Sequence, residues 1–180
     1  MARITWLGSS EPEVQAEPLE AAMGGKVEVD ANGRFYLRVN QGRMEAPLVA
    51  EGLRKFAMLA RLISTGTLFE KGYLFWDEPE ANLNPKLIKV AAHVITSLAQ
   101  QGIQVFIATH SLFLLREIEI ETDLKGLGST SRYFSLPRSG ENFSGHLEQG
   151  ERVDDLQTIV VLDQELEQSG RFIDATQARD

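Results

Sequence analysis

The sequence predicts an α/β fold in which a parallel sheet is flanked by helices. Residues 73–76 (YLFW) and 103–108 (IQVFIA) are short apolar segments, typical of buried strands. Residues 87–98, between them, and residues 49–63, before them, repeat apolar side chains at helical spacing. Near-continuous apolar strands separated by amphipathic helices indicate a parallel sheet that helices cover on both faces.

Composition and charge restrict the class of protein. The 180 residues suit one domain with a hydrophobic core, since 43% of them are hydrophobic and 24% are charged. The absence of cysteine excludes disulfides and thiolate metal sites and favours a cytoplasmic location. The net charge is −8 and no cluster of Lys and Arg stands out, so a nucleic-acid partner gains no support from charge. No apolar run reaches the roughly 20 residues of a membrane span, and no signal peptide is expected.

The first part of the chain is predicted to hold two helices and a β-hairpin. Residues 14–23 are typical of a short helix. Alternating side chains in residues 26–39 indicate the hairpin, with a turn at residues 30–33, where Asn-Gly supplies the positive φ that such turns need. Residues 40–46 are interpreted as a polar loop. The first long helix is expected over residues 47–64, where Thr-Gly ends it.

A second long helix is predicted to connect the two apolar strands. Asn84 suits its N-cap and Pro85 its first turn, and Gly102 stops it. Its expected apolar face consists of Leu87, Val90, Ala91, Val94, Ile95 and Leu98. After the second strand, residues 112–118 are interpreted as a short helix.

The last third of the sequence changes in character. Residues 132–136 are interpreted as a strand, and the Gly- and Ser-rich residues 139–151 as a polar loop. A final helix is expected over residues 154–170, and the tail, residues 174–180, is expected to fray. The predicted inward side chains of the final helix are Leu156, Ile159, Val160 and Leu166.

Adjacent carboxyl side chains follow the first apolar strand. Asp77 and Glu78 come directly after it, and Pro79 indicates that the strand ends there. His110 follows the second strand, and functional residues of parallel sheets lie at the carboxyl ends of strands. Phosphoryl transfer needs a metal ion and a group that orients water, roles that Asp77 and Glu78 suit, while His110 can donate a hydrogen bond to a γ-phosphate. The alternatives are a surface turn that begins with acids and an isolated loop histidine.

Three ordered motifs carry a family resemblance. AEGLRKFAMLARLI, LFWDEPEANLNP and VFIATHS resemble, in order and spacing, the C-terminal half of an ABC-type ATPase head. The corresponding proteins are bacterial AAA family ATP-binding proteins allied to DNA-repair and phage-defence ATPases. The resemblance covers about residues 24–120 and implies a P-loop NTPase-like fold. It also implies that Asp77 is the Walker B aspartate that holds Mg²⁺, that Glu78 is the catalytic glutamate and that His110 is the switch histidine.

The same resemblance implies further contacts with ATP. Residues 82–85 match the D-loop, and Gly52 matches the second glycine of the signature motif, which in that family contacts the γ-phosphate bound by the opposite subunit. Gly52, Arg54 and Asn84 are therefore predicted to bind the cofactor, ATP. The motifs also depart from the family pattern. Ala50 stands where a serine is usual, and Asn84 replaces the usual aspartate.

The largest departure is the absence of a P-loop. No G-x-x-x-x-G-K-[ST] sequence occurs in the 180 residues, and the one Gly-Lys pair, residues 25–26, falls in the predicted hairpin. The strand and helix that carry Walker A in the family would lie upstream of the first residue. We therefore interpret residues 1–180 as a single partial ATPase domain. Its parts are a hairpin region (24–46), a motif-bearing region (47–120) and a C-terminal strand and helix extension (121–180).

Three functions fit these observations to different degrees. The first is an ATPase domain that contributes Walker B, D-loop and switch histidine to a composite nucleotide site and is not competent alone. Its expected cofactors are ATP and Mg²⁺, and its expected partner is a second copy or a chain that carries a P-loop. The second is a non-catalytic interaction or dimerisation module with the same fold. The third, a metal-dependent nuclease using Asp154, Asp155, Asp163 and Glu165, has little support because these residues have the spacing of a solvated helix face.

Overall fold

The described chain forms two compact units, Met1–Thr109 and His110–Asp180. The computed structural model describes residues 12–30, 35–45, 51–136 and 147–177. The elements of the first unit are α1 (Pro12–Met23), β1 (Lys26–Val29), β2 (Phe35–Val39), β3 (Gly42–Glu45), α2 (Glu51–Ser64), α3 (Thr67–Lys71), β4 (Tyr73–Asp77), α4 (Pro85–Gln100) and β5 (Gln104–Ala108). Those of the second unit are α5 (Leu112–Lys125), a 3-10 helix (Gly128–Thr130), β6 (Tyr133–Ser135), β7 (Glu148–Gly150), a 3-10 helix (Val153–Asp155) and α6 (Val160–Gln177).

The predicted hairpin is part of an antiparallel meander. β1 and β2 pair from Lys26 with Arg38 onwards, as the alternation indicated, while the turn residues 31–33 lie outside the described residues. β3 pairs with β2, so the prediction of a polar loop over residues 40–46 is wrong for Gly42–Glu45. Contacts across the strands explain how the polar strand β3 pairs with β2. The guanidinium of Arg43 lies 3.6 Å from the ring centroid of Tyr36, and its Nε lies 3.6 Å from Glu28.

The parallel sheet predicted from the two apolar segments is present. β4 and β5 pair in parallel, with Tyr73 opposite Gln104 and Asp77 opposite Ala108, and α4 is the crossover between them. α4 begins as predicted, because the side chain of its N-cap residue Asn84 accepts a hydrogen bond from the Leu87 N–H at 3.1 Å. The two strands therefore end at the same edge of the sheet.

The core of the first unit lies on one face of this sheet. Leu74, Trp76, Val105 and Ile107 face a core built by α1, α2 and α4. Its fully buried side chains include Leu19, Phe56, Ile63 and Leu98. The predicted apolar faces of the two long helices are confirmed, except that residues 47–50 lie outside the described residues.

The opposite face of the sheet is open in the described part of the chain. Phe75 is 70% exposed, Tyr73 52% and Phe106 41%. Phe75 and Phe106 stack across the strands with ring centroids 4.5 Å apart. The prediction that helices cover both faces is therefore wrong for the described residues. Apolar residues on both faces of a strand predict that both faces are covered. They do not show which part of the chain, or which other chain, covers each face.

The second unit is organised around a buried carboxyl group. Glu119, on α5, is 7% exposed; it accepts hydrogen bonds from the Val153 N–H at 2.8 Å and from Arg116 Nη1 at 2.9 Å. α5 continues to Lys125, beyond the predicted end at residue 118, because its inward side chains there are polar and hide the apolar period. β6 agrees with the prediction, but β7 lies inside the predicted polar loop, which is wrong for Glu148–Gly150.

The final helix is displaced from its predicted place. α6 covers Val160–Gln177 rather than residues 154–170, and Asp154 lies in a 3-10 helix instead. Val160 is 57% and Leu166 63% exposed, so their predicted inward positions are wrong, whereas Leu156 and Ile159 are half-buried. The helix also continues through residues expected to fray. No helix in the described ranges is long and apolar enough to span a membrane.

Candidate functional site

The predicted carboxyl pair lies at the exposed carboxyl edge of the parallel sheet. Asp77 is the last residue of β4, opposite Ala108, and its side chain is on the same face as Tyr73 and Phe75. Glu78 follows the strand, and its N–H donates to the carbonyl oxygen of Ala108 at 2.8 Å. Both side chains are exposed. Because the strand ends between them, the two carboxyl groups are not forced to opposite faces of the sheet.

Glu78 adopts a backbone conformation that is unusual for its residue type. Its φ is +44°, in the left-handed region, which costs of order 1 kcal/mol or more for a residue other than glycine. Two donors hold its carbonyl oxygen: the Nζ of Lys55 at 2.6 Å and the N–H of Ala81 at 3.1 Å. Lys55 lies on α2, so this helix fixes the direction in which the chain leaves β4. Such strain at a strand end is common where a chemical group must be aimed.

α2 packs directly on the acidic turn, the name used here for residues 77–84. Gly52 is buried, and a Cβ at this position would lie 2.5 Å from the carbonyl oxygen of Asn82 and 2.6 Å from a methyl carbon of Leu83. Asn82 itself has a φ of +63°. The close approach requires glycine at position 52, so the structure provides a packing reason for this residue.

A second carboxyl group of the acidic turn is buried. Glu80 is 8% exposed, and its Oε1 accepts a hydrogen bond from the hydroxyl of Thr109 at 2.5 Å. Among the described residues, none donates to its Oε2. Sequence reasoning missed Glu80, Thr109 and Lys55. Glu80 is the third acid of a turn that contains proline, and such a residue is normally expected to be exposed to solvent. Nothing in the sequence around Lys55 indicates that its side chain contacts a residue far along the chain.

The structure brings together some of the predicted site residues. Asp77, Glu78, Gly52 and Asn84 all belong to the acidic turn or contact it, within the first unit. The Asn84 side chain caps α4, and Arg54 is exposed on α2. His110 is exposed and is the first residue of the second unit, two positions after Ala108.

The donor set fits a magnesium ion that a protein carboxylate holds together with water and phosphate oxygens. The described ranges contain no group of three or more His, Cys, Asp or Glu side chains that could hold a metal ion. Mg²⁺ is typically held by one or two carboxylates together with phosphate oxygens and water. The exposed carboxylate of Asp77 would hold the ion together with water, a nucleotide would add phosphate oxygens as further ligands, and the neighbouring Glu78 would stay available to orient a water molecule.

The acids considered for a nuclease have other roles. Asp154 pairs with Arg116 at 2.9 Å, and the Oδ2 of Asp155 accepts from the N–H groups of Glu151 and Arg152, both at 2.9 Å. The first two acids therefore stabilise the second unit. The other two candidate acids, Asp163 and Glu165, lie on the exposed helix α6.

Comparison with known proteins identifies the family. Residues 6–116, more than half of the chain, match the family described as "AAA domain, putative AbiEii toxin, Type IV TA system". The chain belongs to this family. A search of curated proteins gave no match.

A solved structure supports the fold of this AAA-family chain. It comes from work on the structural biochemistry of ATP-driven dimerization and DNA stimulated activation of SMC ATPases. The TM-score is 0.51 at 11% sequence identity, and the match covers 87% of this chain and 91% of that chain. The likeness shows a P-loop NTPase-like fold of the ATPase-head type. The family membership and the fold together confirm the ATPase-type domain that the motifs predicted.

Proposed function

We propose that this AAA-family domain contributes the Walker B carboxylates, the D-loop and the switch histidine to a composite ATP site. The carrying observation is the placement of Asp77 and Glu78 at the exposed carboxyl edge of the parallel sheet, with the backbone of Glu78 held in a left-handed conformation. Asp77 would hold Mg²⁺, Glu78 would orient the attacking water, and His110 would contact the γ-phosphate. When bound, Mg²⁺ and ATP supply the electrophilic phosphorus and the neutralising charge.

The open face of the sheet supports a composite site. Tyr73, Phe75 and Phe106 form an exposed aromatic surface on the same side as Asp77, whereas parallel sheets are normally covered on both faces. A P-loop-bearing segment packed here would lie beside the metal-binding carboxylate. We propose that this cover comes from a partner chain or from a further segment, and that the assembled protein is an oligomer.

ATP binding by residues 1–180 alone is expected to be weak. The backbone donors, lysine and hydroxyl of a P-loop are missing from the sequence, and each charge-assisted hydrogen bond contributes about 1.5–3 kcal/mol. Calorimetric titration with Mg²⁺-ATP should therefore show no binding up to millimolar concentrations. Micromolar binding that Asp77→Ala abolishes would show that the site is self-sufficient.

The catalytic role is tested in the assembled protein. The tagged chain is purified from its native source, and Mg²⁺-ATP turnover by the assembly is measured. Glu78→Gln should abolish steady-state turnover and leave ATP binding intact, because the amide cannot act as the base that orients water. Turnover that is unchanged in Glu78→Gln would refute the proposed role.

A non-catalytic interaction module is the second candidate. Two observations favour it: Gly52 has a packing reason, and the Asn84 side chain caps α4, so neither residue needs a nucleotide to explain it. This candidate predicts an assembly that forms normally but has no ATP turnover. It leaves unexplained why a solvent-exposed glutamate is held at a φ of +44°.

A further inference from the structure

Glu80 is the least expected side chain of the acidic turn. It is only two residues beyond the exposed Glu78, yet its side chain is buried at 8% exposure. One oxygen accepts the hydroxyl hydrogen of Thr109 at 2.5 Å, and the other has no donor among the described residues. A buried polar oxygen without a partner opposes folding, and native proteins keep few of them. The burial of Glu80 therefore calls for an explanation.

The hydrogen bond from Thr109 joins the two strand ends. Thr109 follows the last residue of β5, and Glu80 lies in the turn after β4. Two residues before Glu80 and one residue before Thr109, the Glu78 N–H donates to the Ala108 carbonyl at 2.8 Å. The turn after β4 is thus linked to the end of β5 twice, once through the backbone at Glu78 and once through side chains at Glu80.

We propose that Glu80 is a positioning residue that acts through Thr109 to hold Glu78 in its left-handed conformation. This inference deepens the proposed function and rests on it, because Glu78 is there the residue that orients water. The Glu80–Thr109 bond keeps the acidic turn against the end of β5, and the strained φ at Glu78 persists because the turn cannot relax away. Without this bond, the acidic turn is held to the end of β5 less firmly, and the hydrogen bond from the Glu78 N–H to the Ala108 carbonyl carries the link.

The test compares three variants of the full chain by NMR. Thr109→Val removes the hydroxyl and keeps the shape of the side chain, while Thr109→Ser keeps the hydroxyl. In the double variant Thr109→Val/Glu80→Met, both partners are apolar, so no buried oxygen is left unpaired and stability is retained. The φ of Glu78 is read from its one-bond Cα–Hα coupling. The protection of its N–H is measured by hydrogen exchange, with the amide of Ile95 in α4 as the reference.

Loss of the link should affect Glu78 specifically. In Thr109→Val and in the double variant, the Glu78 amide should exchange about fivefold to tenfold faster, the factor expected for one hydrogen bond. Its coupling should leave the left-handed range while Ile95 is unchanged, and Thr109→Ser should behave as wild type. A stable double variant with unchanged coupling and exchange at Glu78 would overturn the proposal. So would a double variant that does not fold, because the pair would then serve only the core.

A separate readout tests the metal site. Mn²⁺ added alone to the wild-type chain should broaden the amide signals of Asp77 and Glu78, and Asp77→Ala should remove the effect. No broadening in the wild type would count against the proposed metal role of Asp77. The coupling and exchange at Glu78 do not depend on metal, so the role of Glu80 is decided independently.

Discussion

Replacement of Gly52 by alanine is expected to destabilise the first unit, because the added methyl group has no room. A Cβ at this position would lie 2.5 Å from the carbonyl oxygen of Asn82 and 2.6 Å from Cδ2 of Leu83. Favourable carbon contacts lie at about 3.5–4.0 Å, so the acidic turn would have to move by roughly 1 Å. The obstructing oxygen belongs to the backbone of a residue already at a φ of +63°, so rotation of a side chain cannot relieve the contact.

The magnitude follows from two opposing terms. Overpacking of a well-packed site costs about 1–3 kcal/mol, and alanine in place of glycine in a helix recovers about 0.5–1 kcal/mol. We therefore expect Gly52→Ala to lower the free energy of unfolding by about 1 kcal/mol, within a range of roughly 0–2.5 kcal/mol. Urea unfolding followed by tryptophan fluorescence is a suitable assay, because both tryptophans, Trp6 and Trp76, belong to the first 109 residues.

A matched control is available in α6. Gly170 is also helical, but an added Cβ there meets no atom within 4 Å, so Gly170→Ala should be neutral or stabilising. Because Gly170 belongs to the second unit and both tryptophans to the first, unfolding of this variant is followed by circular dichroism. The reasoning is refuted if Gly52→Ala unfolds at the same urea concentration as the wild type. In that case the glycine would have to be explained by its proposed contact with phosphate rather than by packing.

Two further predictions concern the helix cap and the acid side of the pH profile. Asn84→Ala should destabilise the first unit by about 1 kcal/mol because the Leu87 N–H loses its partner, whereas Asn84→Asp should retain the cap; urea unfolding of both variants checks this. In the second unit, hydrogen bonds from Thr158, chiefly from its N–H, lower the pKa of Glu148 below its ordinary value of 4.5. A lowered carboxyl pKa stabilises the fold above the unfolded pKa, and that contribution is lost as the pH falls through the folded value. The wild type should therefore lose more stability than Glu148→Gln as the pH falls below about 4.5. The free energy of unfolding of both proteins is measured by circular dichroism during urea unfolding at pH 7 and pH 3. An equal loss between the two pH values would contradict this prediction.

Local signals in the sequence were sufficient for the elements that position the site. The apolar runs predicted β4 and β5, and Asn84 with Pro85 predicted the start of α4, because period and capping are properties of neighbouring residues. The same signals failed where polar side chains face inward. The second half of α5 was missed because the inward-facing Glu119 interrupts the apolar period of the helix. β3 was missed because its pairing depends on contacts made by Arg43 across the meander.

The sequence by itself determined the family, the order of α2, β4, α4 and β5, and the position of Asp77 and Glu78 at a strand end, since each of these depends on patterns of neighbouring residues. Only the tertiary structure decided how that strand end is held. Lys55 is 23 residues from Glu78 along the chain, and Thr109 is 29 residues from Glu80. Contacts over such separations follow from the packing of α2 and β5 around the acidic turn, and no local pattern encodes them. The burial of Glu80 was likewise decided by packing, because a turn residue is buried only when other elements close over it.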